Sequence, residues 1–475
     1  MIPTTLKNAA GRQLQRGYGN EHRPVVKTLW ERDSRPAEPA TLAVGDFEPD
    51  RPHVDFARYY ERSFMDKEIE RVWSRSWLYA AREEDIPEVG DRVPFDCGPL
   101  SFVLVRTEAD AFKAFYNSCP HRGTRLCNEH QNAATIRCPY HGWEWHTSGK
   151  LKGIPSHWDF PEITPLNGGL REARIESWGG FLFINADADA PPLVEALSVM
   201  PEHFAKFGLD NRYTAARFRK LVKANWKVAQ EAFMESYHVY ATHPQGVPYN
   251  GDSQTQYDLW ETGTGHVARQ TTPSAVPSMH APSEASAIEA AQVYAMVTGG
   301  WHYPEFPQPE LDPQGDVRAQ IGEWHRQAYQ ATYGRERHAT DGVMLDSLLY
   351  FMFPHAVFWL AESLPFTYQF TPHPSDPELS FFEVRLLRPI AEGAPRPPSS
   401  PAVEVGPEER IEDKVPAFGL LGTIFDQDMT NMPLIQRGMH AAPADRAFST
   451  LGKYQEMIIQ HWNEVLDALM ADPAT

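Results

Sequence analysis

The spacing of hydrophobic residues changes along the chain from a helical to an extended pattern. Residues 57–77, ARYYERSFMDKEIERVWSRSW, carry apolar side chains near helical spacing, which predicts a helix. From about residue 78, short apolar runs separated by turn residues follow, the clearest being DRVPFD, LSFVLVRTE, AFKAFYN and GGFLFINAD. These runs predict a small all-β domain over residues 78–187.

The second part of the chain has a mixed pattern. A helix is predicted over NWKVAQEAFMESYHVYATHP, and an amphipathic helix over LGKYQEMIIQHWNEVLDALM at the C-terminus. Strands are predicted in LLYFMFPHAVFWL and LSFFEVRLLRPI. The Gly-, Pro- and Ser-containing stretch 244–315 predicts a long loop, and the polar, proline-containing residues 1–50 predict an N-terminal arm.

Length and composition narrow the class of protein. A chain of 475 residues with 42% hydrophobic residues predicts two domains with sizeable cores. The net charge of −19 argues against nucleic acid and anionic membranes as partners. We find no apolar run long enough for a signal or a membrane span, so we expect a cytoplasmic protein. Four cysteines are no disulfide framework, but they suit a metal site.

Three of the four cysteines lie in CPHRGTRLCNEHQNAATIRCPYHGW, residues 119–143. Cys119 and His121 open this stretch, and Cys138 and His141 close it. Two Cys and two His could hold a structural zinc ion, but zinc knuckles usually supply a pair of cysteines together. One Cys and one His from each loop suit a two-iron, two-sulfide cluster, with both cysteines on one iron and both histidines on the other.

The motifs CPHRG and CPYHGW resemble the Rieske iron–sulfur signature. The resemblance implies a Rieske [2Fe-2S] cluster, with Gly123 and Gly142 where the loops approach it closely. It places Tyr140 and Trp143 around the cluster. We assign no role to Cys97 or Cys127, and we expect His130 and His146 to be surface or structural residues.

A second group of candidate ligands lies in the predicted helix 225–243. Glu231, Glu235 and His238 would share one face of a continuous helix. Because a residue before proline avoids the helical conformation, the helix should end at about Thr242, and His243 can then lie beside His238. Two imidazoles and one carboxylate form a facial triad that leaves iron positions open. On spacing alone, however, His-x4-His is more often two unrelated histidines.

The surrounding sequence, NWK followed by Glu and then by Glu-x-Tyr-His-x4-His-Pro, resembles the catalytic motif of Rieske non-heme iron ring-hydroxylating oxygenases, in their large α subunit. The resemblance implies a mononuclear Fe(II) held by His238, His243 and a distant Asp. Asp428 stands eight residues before Gln436-Arg437-Gly438, as the ligand does in many members. Asp426 is the competing candidate, and either Asp taken alone would be a helix cap or a surface residue.

The resemblance also implies an α+β fold. Residues 188–475 would form a helix-grip (START-like) catalytic domain with an antiparallel sheet, and residues 51–77 a helical lead-in belonging to it. Glu235 stands where most members have Asp, a residue that bridges an iron histidine to a cluster histidine of the neighbouring subunit. Ala232 replaces an Asn common in the family. The 245–315 region leaves room for a lid or substrate loop.

The implied function is the terminal oxygenase component of a multicomponent enzyme, a mono- or dioxygenase. With O2 it would hydroxylate, dihydroxylate or oxidatively demethylate a small, aromatic organic substrate, as in the catabolism of aromatic compounds. Since no G-x-G-x-x-G fingerprint follows a strand, we expect a separate NAD(P)H-dependent reductase, with or without a ferredoxin. A homotrimer or an α3β3 assembly is expected. The alternative is a Rieske electron-transfer or scaffold protein without oxygenase activity.

Overall fold

The computed structural model describes residues 5–7, 13–15, 26–45, 49–282 and 285–471. The chain forms two compact units. The small unit comprises Arg62–Leu193 and Thr371–Asp376, and the large unit comprises Met1–Glu61, Val194–Phe370 and Pro377–Thr475. The predicted arm over residues 1–50 lies partly outside the described residues.

The secondary structure alternates short strands with helices of very different length. In chain order the strands are β1 (Thr5–Lys7), β2 (Gln13–Gln15), β3 (His53–Asp55), β4 (Leu78–Arg82), β5 (Asp91–Cys97), β6 (Leu100–Glu108), β7 (Ala111–Tyr116), β8 (Gln131–Asn132), β9 (Thr135–Arg137), β10 (Glu144–His146), β11 (Leu151–Gly153), β12 (Glu172–Trp178), β13 (Phe181–Asn185), β14 (Arg212–Val222), β15 (Gln256–Thr262), β16 (Gly265–Thr272), β17 (Ser347–Met352), β18 (Ala356–Trp359), β19 (Phe366–Pro372), β20 (Ser380–Pro389), β21 (Val403–Val405) and β22 (Phe448–Thr450). The α-helices are α1 (Val26–Trp30), α2 (Pro39–Leu42), α3 (Arg62–Glu68), α4 (Leu193–Leu197), α5 (Met200–His203), α6 (Trp226–Glu231), α7 (Val239–Thr242), α8 (Ala287–His302), α9 (Val317–Tyr333), α10 (Asp341–Leu345), α11 (Ile411–Lys414), α12 (Leu420–Ala441) and α13 (Met457–Met470).

The small unit is built on a seven-stranded sheet in the order β4-β13-β12-β7-β6-β5-β8, accompanied by a three-stranded sheet β11-β10-β9. The predicted runs DRVPFD, LSFVLVRTE, AFKAFYN and GGFLFINAD are confirmed as strands β5, β6, β7 and β13. Alternate residues of these strands, including Val103, Val105 and Phe115, pack with Trp145 in one buried cluster. The loop after β7 and the loop between β9 and β10 carry the cysteine–histidine motifs.

The helical lead-in, residues 51–77, is predicted to belong to the catalytic domain. Its residues 62–77 instead group with the small unit. Helix α3 continues into a π-helical turn, Ile69–Trp73. The Ile69 side chain lies against Gly98, so closely that a Cβ at Gly98 would come within 2.7 Å of Ile69 Cδ1. Asn185 Nδ2 in β13 also donates to the backbone oxygen of Arg75 at 3.0 Å. These contacts attach the segment to the small unit.

The large unit has an eight-stranded sheet in the order β15-β16-β17-β18-β19-β20-β14-β21. Strand β14 pairs antiparallel with β20 and parallel with β21. The 22-residue helix α12 packs on this sheet through Phe425, whose ring contacts Phe218, Phe382 and Tyr368. A long helix packed on a largely antiparallel sheet confirms the predicted α+β fold class.

The prediction of a long loop over residues 244–315 is wrong. The hairpin of β15 and β16 completes one edge of the large sheet, and α8 occupies Ala287–His302. Gly299 lies inside α8, where the Trp324 ring packs so closely that a Cβ would meet it at 2.4 Å. Ser286 caps the same helix through a capping box with Glu289.

The predicted C-terminal helix is confirmed as α13, although it begins at Met457, several residues later than the pattern indicated. Its buried side chains include Ile458, Trp462 and Leu466, at the spacing of one helix face. Within the described ranges, no helix has the length and apolar character needed to cross a bilayer.

Candidate functional site

The two loops of the small unit bring Cys119, His121, Cys138 and His141 together in pairs. Both cysteines are only 2% exposed, and their thiols contact each other. The two imidazole rings lie outside them, with centroids 4.7 Å apart, and His141 is exposed. Two sulfur donors therefore face the interior of the unit, while two nitrogen donors face its surface.

Backbone amides converge on the two sulfur atoms. The N–H groups of His121 and Arg122 donate to Cys119, and those of Tyr140 and His141 donate to Cys138. Burial acts against ionisation, yet the amide donors hold the pKa of the Cys138 thiol below its usual value. At Cys119 the balance is reversed, and burial raises the pKa of the thiol despite its amide donors. Backbone donors directed at both sulfur atoms suit cysteines that bind iron as thiolates.

The loop conformations depend on glycine and on packing of Trp143. Gly123 and Gly142 both have positive φ, +76° and +74°, a conformation that other residues rarely adopt. Trp143 is buried and stacks on His121 with ring centroids 5.0 Å apart and almost parallel planes. Tyr140 is 57% exposed and lies against His141. The Cys, His and amide arrangement fits a two-iron, two-sulfide cluster.

Asn117 organises the first loop, and the sequence analysis missed it. Its Oδ1 accepts from the N–H groups of Leu126 and Cys127, both at 2.9 Å, and its Nδ2 donates to the carbonyl of Cys127. Asn commonly stabilises turns in this way, so its position two residues before Cys119 was an available signal. The Cys127 thiol donates to the carbonyl of Glu129, as expected of a packing cysteine.

The second candidate site lies in the large unit, where His238, His243 and Asp428 come together. Asp428 Oδ1 is 3.0 Å from His243 Nε2 and 3.6 Å from His238 Nε2. The imidazole centroids are 5.1 Å apart. Two Nε2 atoms and one buried carboxylate oxygen therefore converge on one point, in the composition of a 2-His-1-carboxylate iron site.

The continuous helix predicted over residues 225–243 is wrong. Helix α6 ends at Glu231, and no helix continues until α7 begins at Val239. Ser236 explains the interruption, because its N–H donates to Tyr257 Oη at 3.0 Å and its hydroxyl bonds Thr272 at 2.7 Å. The end of α7 agrees with the prediction: it stops at Thr242, and His243 adopts a non-helical φ of −121°.

Glu231 does not face the histidines. Both of its carboxylate oxygens accept from Tyr59 Oη, at 2.9 and 3.0 Å, and Asn463 Nδ2 donates to one of them. Burial raises the pKa of Glu231 to about 7, against the lowering effect of these hydrogen bonds. The shared face predicted for Glu231, Glu235 and His238 is therefore incorrect.

Glu235 contacts His238 through both of its oxygens. Oε1 lies 2.8 Å from Nδ1 of His238, and Oε2 accepts from the backbone N–H of the same residue at 2.9 Å. Glu235 holds a proton on Nδ1 of His238, which directs Nε2 at Asp428, where a metal would take the place of any proton on Nε2. Burial lowers the pKa of His238, but Glu235 and Asp428 outweigh it and raise this pKa to about 9.

His243 has an equivalent partner, Gln427, which the sequence analysis missed. Gln427 Oε1 lies 2.8 Å from Nδ1 of His243 and also accepts from Nε2 of Gln245 at 2.7 Å. It directly precedes Asp428 in α12, and that adjacency was the only signal in the sequence. Each histidine thus has one nitrogen fixed by a hydrogen bond and one directed at Asp428.

The two aspartates of α12 lie in different surroundings. Asp426 accepts from the backbone N–H groups of Ile411 and Glu412 at 2.8 and 3.1 Å and so anchors the start of α11. Asp428 is instead buried against the two histidines. The donor set of His238, His243 and Asp428 fits a mononuclear iron.

Two family models match successive parts of the chain. Residues 76–164 match the family model described as Rieske [2Fe-2S] domain, and residues 202–472 match ring hydroxylating alpha subunit (catalytic domain). The chain is 33% identical over 202 residues to biphenyl 2,3-dioxygenase subunit alpha of Rhodococcus jostii, covering 40% of this chain and 43% of the relative. It is 32% identical over 181 residues to the glycine betaine monooxygenase oxygenase subunit of Chromohalobacter salexigens, covering 38% and 40%.

These alignments span about two fifths of the length of the curated relatives. The fold agrees over a longer range. A quaternary ammonium Rieske monooxygenase in complex with L-carnitine superposes with a TM-score of 0.61 at 16% identity, covering 89% of this chain and 97% of that one. Since the catalytic-domain model matches more than half of its residues, the chain belongs to the family of ring-hydroxylating alpha subunits with a Rieske [2Fe-2S] domain.

Proposed function

We propose that this chain is the terminal oxygenase component of a Rieske non-heme iron oxygenase system, using O2 to oxidise a small organic substrate. The observation that carries the proposal is the complete 2-His-1-carboxylate set of the large unit, in which both histidines have a fixed outer nitrogen. A Rieske protein that only carried electrons would have no need of a second ligand set. The family match to the catalytic domain supports the same conclusion.

In this proposal Cys119, Cys138, His121 and His141 hold the [2Fe-2S] cluster, and His238, His243 and Asp428 hold Fe(II). When bound, the cluster supplies single electrons and the mononuclear iron supplies the site of O2 activation. Glu235 and Gln427 keep the two histidines in the tautomer that can bind a metal. The exposed His141 provides a contact point at the protein surface for electron entry or exit.

A group of buried aromatic side chains lies near Asp428. Tyr368 lies close enough for the charge of Asp428, together with burial, to raise its pKa well above the usual value. Its ring belongs to a cluster with Phe233, Phe370 and Phe425. Aromatic faces attract both arenes and organic cations, so both substrate types are chemically compatible with this aromatic cluster.

We further propose that a separate reductase delivers the electrons and that the chain assembles as a homotrimer or with a β subunit as α3β3. Glu235 would then contact His238 within its own chain while bridging to a cluster histidine of the neighbouring subunit. Its observed bond to Nδ1 of His238 supplies the first half of that bridge.

The net charge of −19 supports neutral or cationic substrates over carboxylates.

The test combines O2 uptake with product mass. The purified protein, loaded with iron and cluster, is supplied with NADH and a generic reductase and offered aromatic acids, phenols, methoxyarenes and quaternary amines. Substrate-dependent O2 uptake with an oxygenated or demethylated product is expected. Asp428→Ala should abolish turnover, whereas Asp426→Ala should retain it. Rapid cluster reduction without substrate-dependent O2 uptake across the panel would instead establish the electron-transfer or scaffold role.

A further inference from the structure

A second cluster of two histidines and one carboxylate lies in the large unit, formed by Glu261, His266 and His461. One ligand atom from each lies within 4.8 Å of the other two. His266 Nδ1 is 3.4 Å and His461 Nε2 is 3.8 Å from Oε1 of Glu261. Among the described residues, only this group and the triad of Asp428 bring three such donors so close.

Three regular elements hold the donors in place. Glu261 in β15 and His266 in β16 are directly paired across the hairpin, so their side chains leave the same face of the sheet. His461 lies inside α13, and its imidazole is completely buried. Donors on paired strands and a packed helix keep their relative positions better than donors on loops.

The distances suit a first-row divalent metal. With metal–nitrogen and metal–oxygen distances of about 2.0–2.1 Å, two ligands of a tetrahedral zinc ion lie about 3.3 Å apart. The contacts of 3.4 and 3.8 Å to Glu261 are close to that value. His266 Nδ1 is buried and lies 3.4 Å from Glu261 Oε1, longer than most hydrogen bonds and close to the spacing of two zinc ligands.

Charge and access also favour a cation. Glu464 follows His461 by one turn of α13, near enough to interact electrostatically with Glu261, and adds a second carboxylate beside the cluster. The side chains of Glu261 and His266 are 41% and 28% exposed, whereas that of His461 is 0% exposed. An ion could therefore enter from the side of the hairpin and keep a water ligand there.

We propose that Glu261, His266 and His461 form a third metal site, which binds a zinc-type divalent ion and ties the β15–β16 hairpin to α13. The site is separate from both sites of the proposed oxygenase and does not depend on its activity. Two imidazoles and one carboxylate leave one tetrahedral position for water. The ion would join the edge of the large sheet to the C-terminal helix.

The test is zinc stoichiometry in the full-length, iron-loaded protein. Protein incubated with a small excess of zinc and then desalted should retain about one zinc per chain, together with its three irons. His266→Gln, which removes one donor on a partly exposed side chain, should lose that zinc and keep the iron. His338→Gln is the matched control, because His338 is 74% exposed and faces a single carboxylate, Glu336.

Zinc X-ray absorption gives an independent reading. Wild-type protein should show nitrogen and oxygen ligands with imidazole scattering and no sulfur. Absence of retained zinc, equal zinc in His266→Gln, a sulfur ligand, or zinc gained only as one iron is lost would each overturn the proposal. None of these outcomes bears on O2 uptake, so failure here leaves the proposed oxygenase function separately testable.

Discussion

Hydrogen bonds to the outer nitrogens of His238 and His243 determine what these histidines can bind. Glu235 and Gln427 each accept from an Nδ1, which leaves each Nε2 free to face Asp428. The two partners differ in charge: the Glu235 carboxylate strengthens its histidine as a ligand more than the neutral Gln427 amide does. The two histidines are therefore held in the same tautomer by groups of different strength.

Replacing Gln427 with Leu should weaken iron binding without affecting the cluster. The variant removes the acceptor at Nδ1 of His243, so the ring is no longer held in the required tautomer. Loss of such a partner typically lowers metal affinity about 10–100-fold. We would measure Fe(II) affinity by titration of metal-free mononuclear sites. Asn431→Ala is the control, since Asn431 lies on the same helix but donates to Thr242. Unchanged affinity in Gln427→Leu would contradict the positioning role.

Glu231 should make the stability of the large unit depend on pH. Its pKa is raised from 4.5 to about 7 in the folded state, so between these values the folded state holds the proton more tightly than the unfolded state. Stability should therefore fall as pH rises through this window, by up to about 3 kcal/mol. Glu231→Gln cannot ionise and should lack this loss. The urea midpoint of Glu231→Gln, measured relative to that of the wild type, should therefore be higher at pH 8 than at pH 5.

A pH-independent difference between wild type and Glu231→Gln would show that the carboxyl ionises normally in the folded protein. Because all other groups titrate in both proteins, the comparison isolates this one residue. Tyr59→Phe offers a second check: it removes a hydrogen bond that stabilises the carboxylate, so it should make the fall in stability steeper.

At the scale of elements, helix α12 links the sheet to the proposed iron-ligand set. Phe425 packs into the aromatic cluster on the sheet, while Gln427 and Asp428 follow within the next turn. Asp426, which lies between Phe425 and Gln427 in the sequence, instead accepts from a backbone N–H of α11. Helix α12 thus positions Asp428, the Gln427 partner of His243, and the Asp426 acceptor for α11. Its placement on the sheet therefore controls all three side chains.

Phe425→Ala should destabilise the large unit by about 3–5 kcal/mol, because it removes a buried aromatic side chain from a packed cluster. It should also reduce mononuclear iron occupancy, since α12 loses the aromatic contacts that hold it on the sheet beside Asp428. Chemical denaturation and iron analysis would measure the two effects. Leu434→Ala on the exposed side of α12 is the control and should change stability by no more than about 0.5 kcal/mol. Equal effects of both substitutions would contradict this account.

At the scale of the whole molecule, the two ligand sets belong to different compact units, so each can be disabled separately. Cys138→Ser removes a proposed cluster ligand from the small unit, and Asp428→Ala removes a proposed iron ligand from the large unit. Neither chain alone should turn over substrate. Whether a mixture can do so depends on whether electrons move within a chain or between chains.

If the proposed ring assembly passes electrons between subunits, co-expressed Cys138→Ser and Asp428→Ala chains should regain activity. In randomly mixed rings, about a quarter of the junctions join an intact cluster to an intact iron site. Substrate-dependent O2 uptake should therefore reach about a quarter of the wild-type value. Adding Glu235→Gln to the Cys138→Ser chain should remove most of it, because the proposed bridge lies on the chain with intact iron ligands. Inactive mixtures of confirmed composition would contradict transfer between subunits.

The sequence by itself determined the features that depend on neighbours along the chain. Cys119 with His121, and Cys138 with His141, lie in single turns, and Pro244 ends α7 so that His243 turns towards His238. Strands β5, β6 and β7 follow from alternation within short segments. In each case the physical cause lies within a few residues, where steric and periodic constraints act directly.

Only the tertiary structure decided the features that join distant segments. Local propensity favours a helix through residues 232–238, but hydrogen bonds from Ser236 to Tyr257 and Thr272 override it. Gln427 reaches His243 across 184 positions, and Asp426 and Asp428 have opposite surroundings although they are two residues apart. Helix packing places these side chains, and a linear pattern does not record which face of α12 meets the histidines.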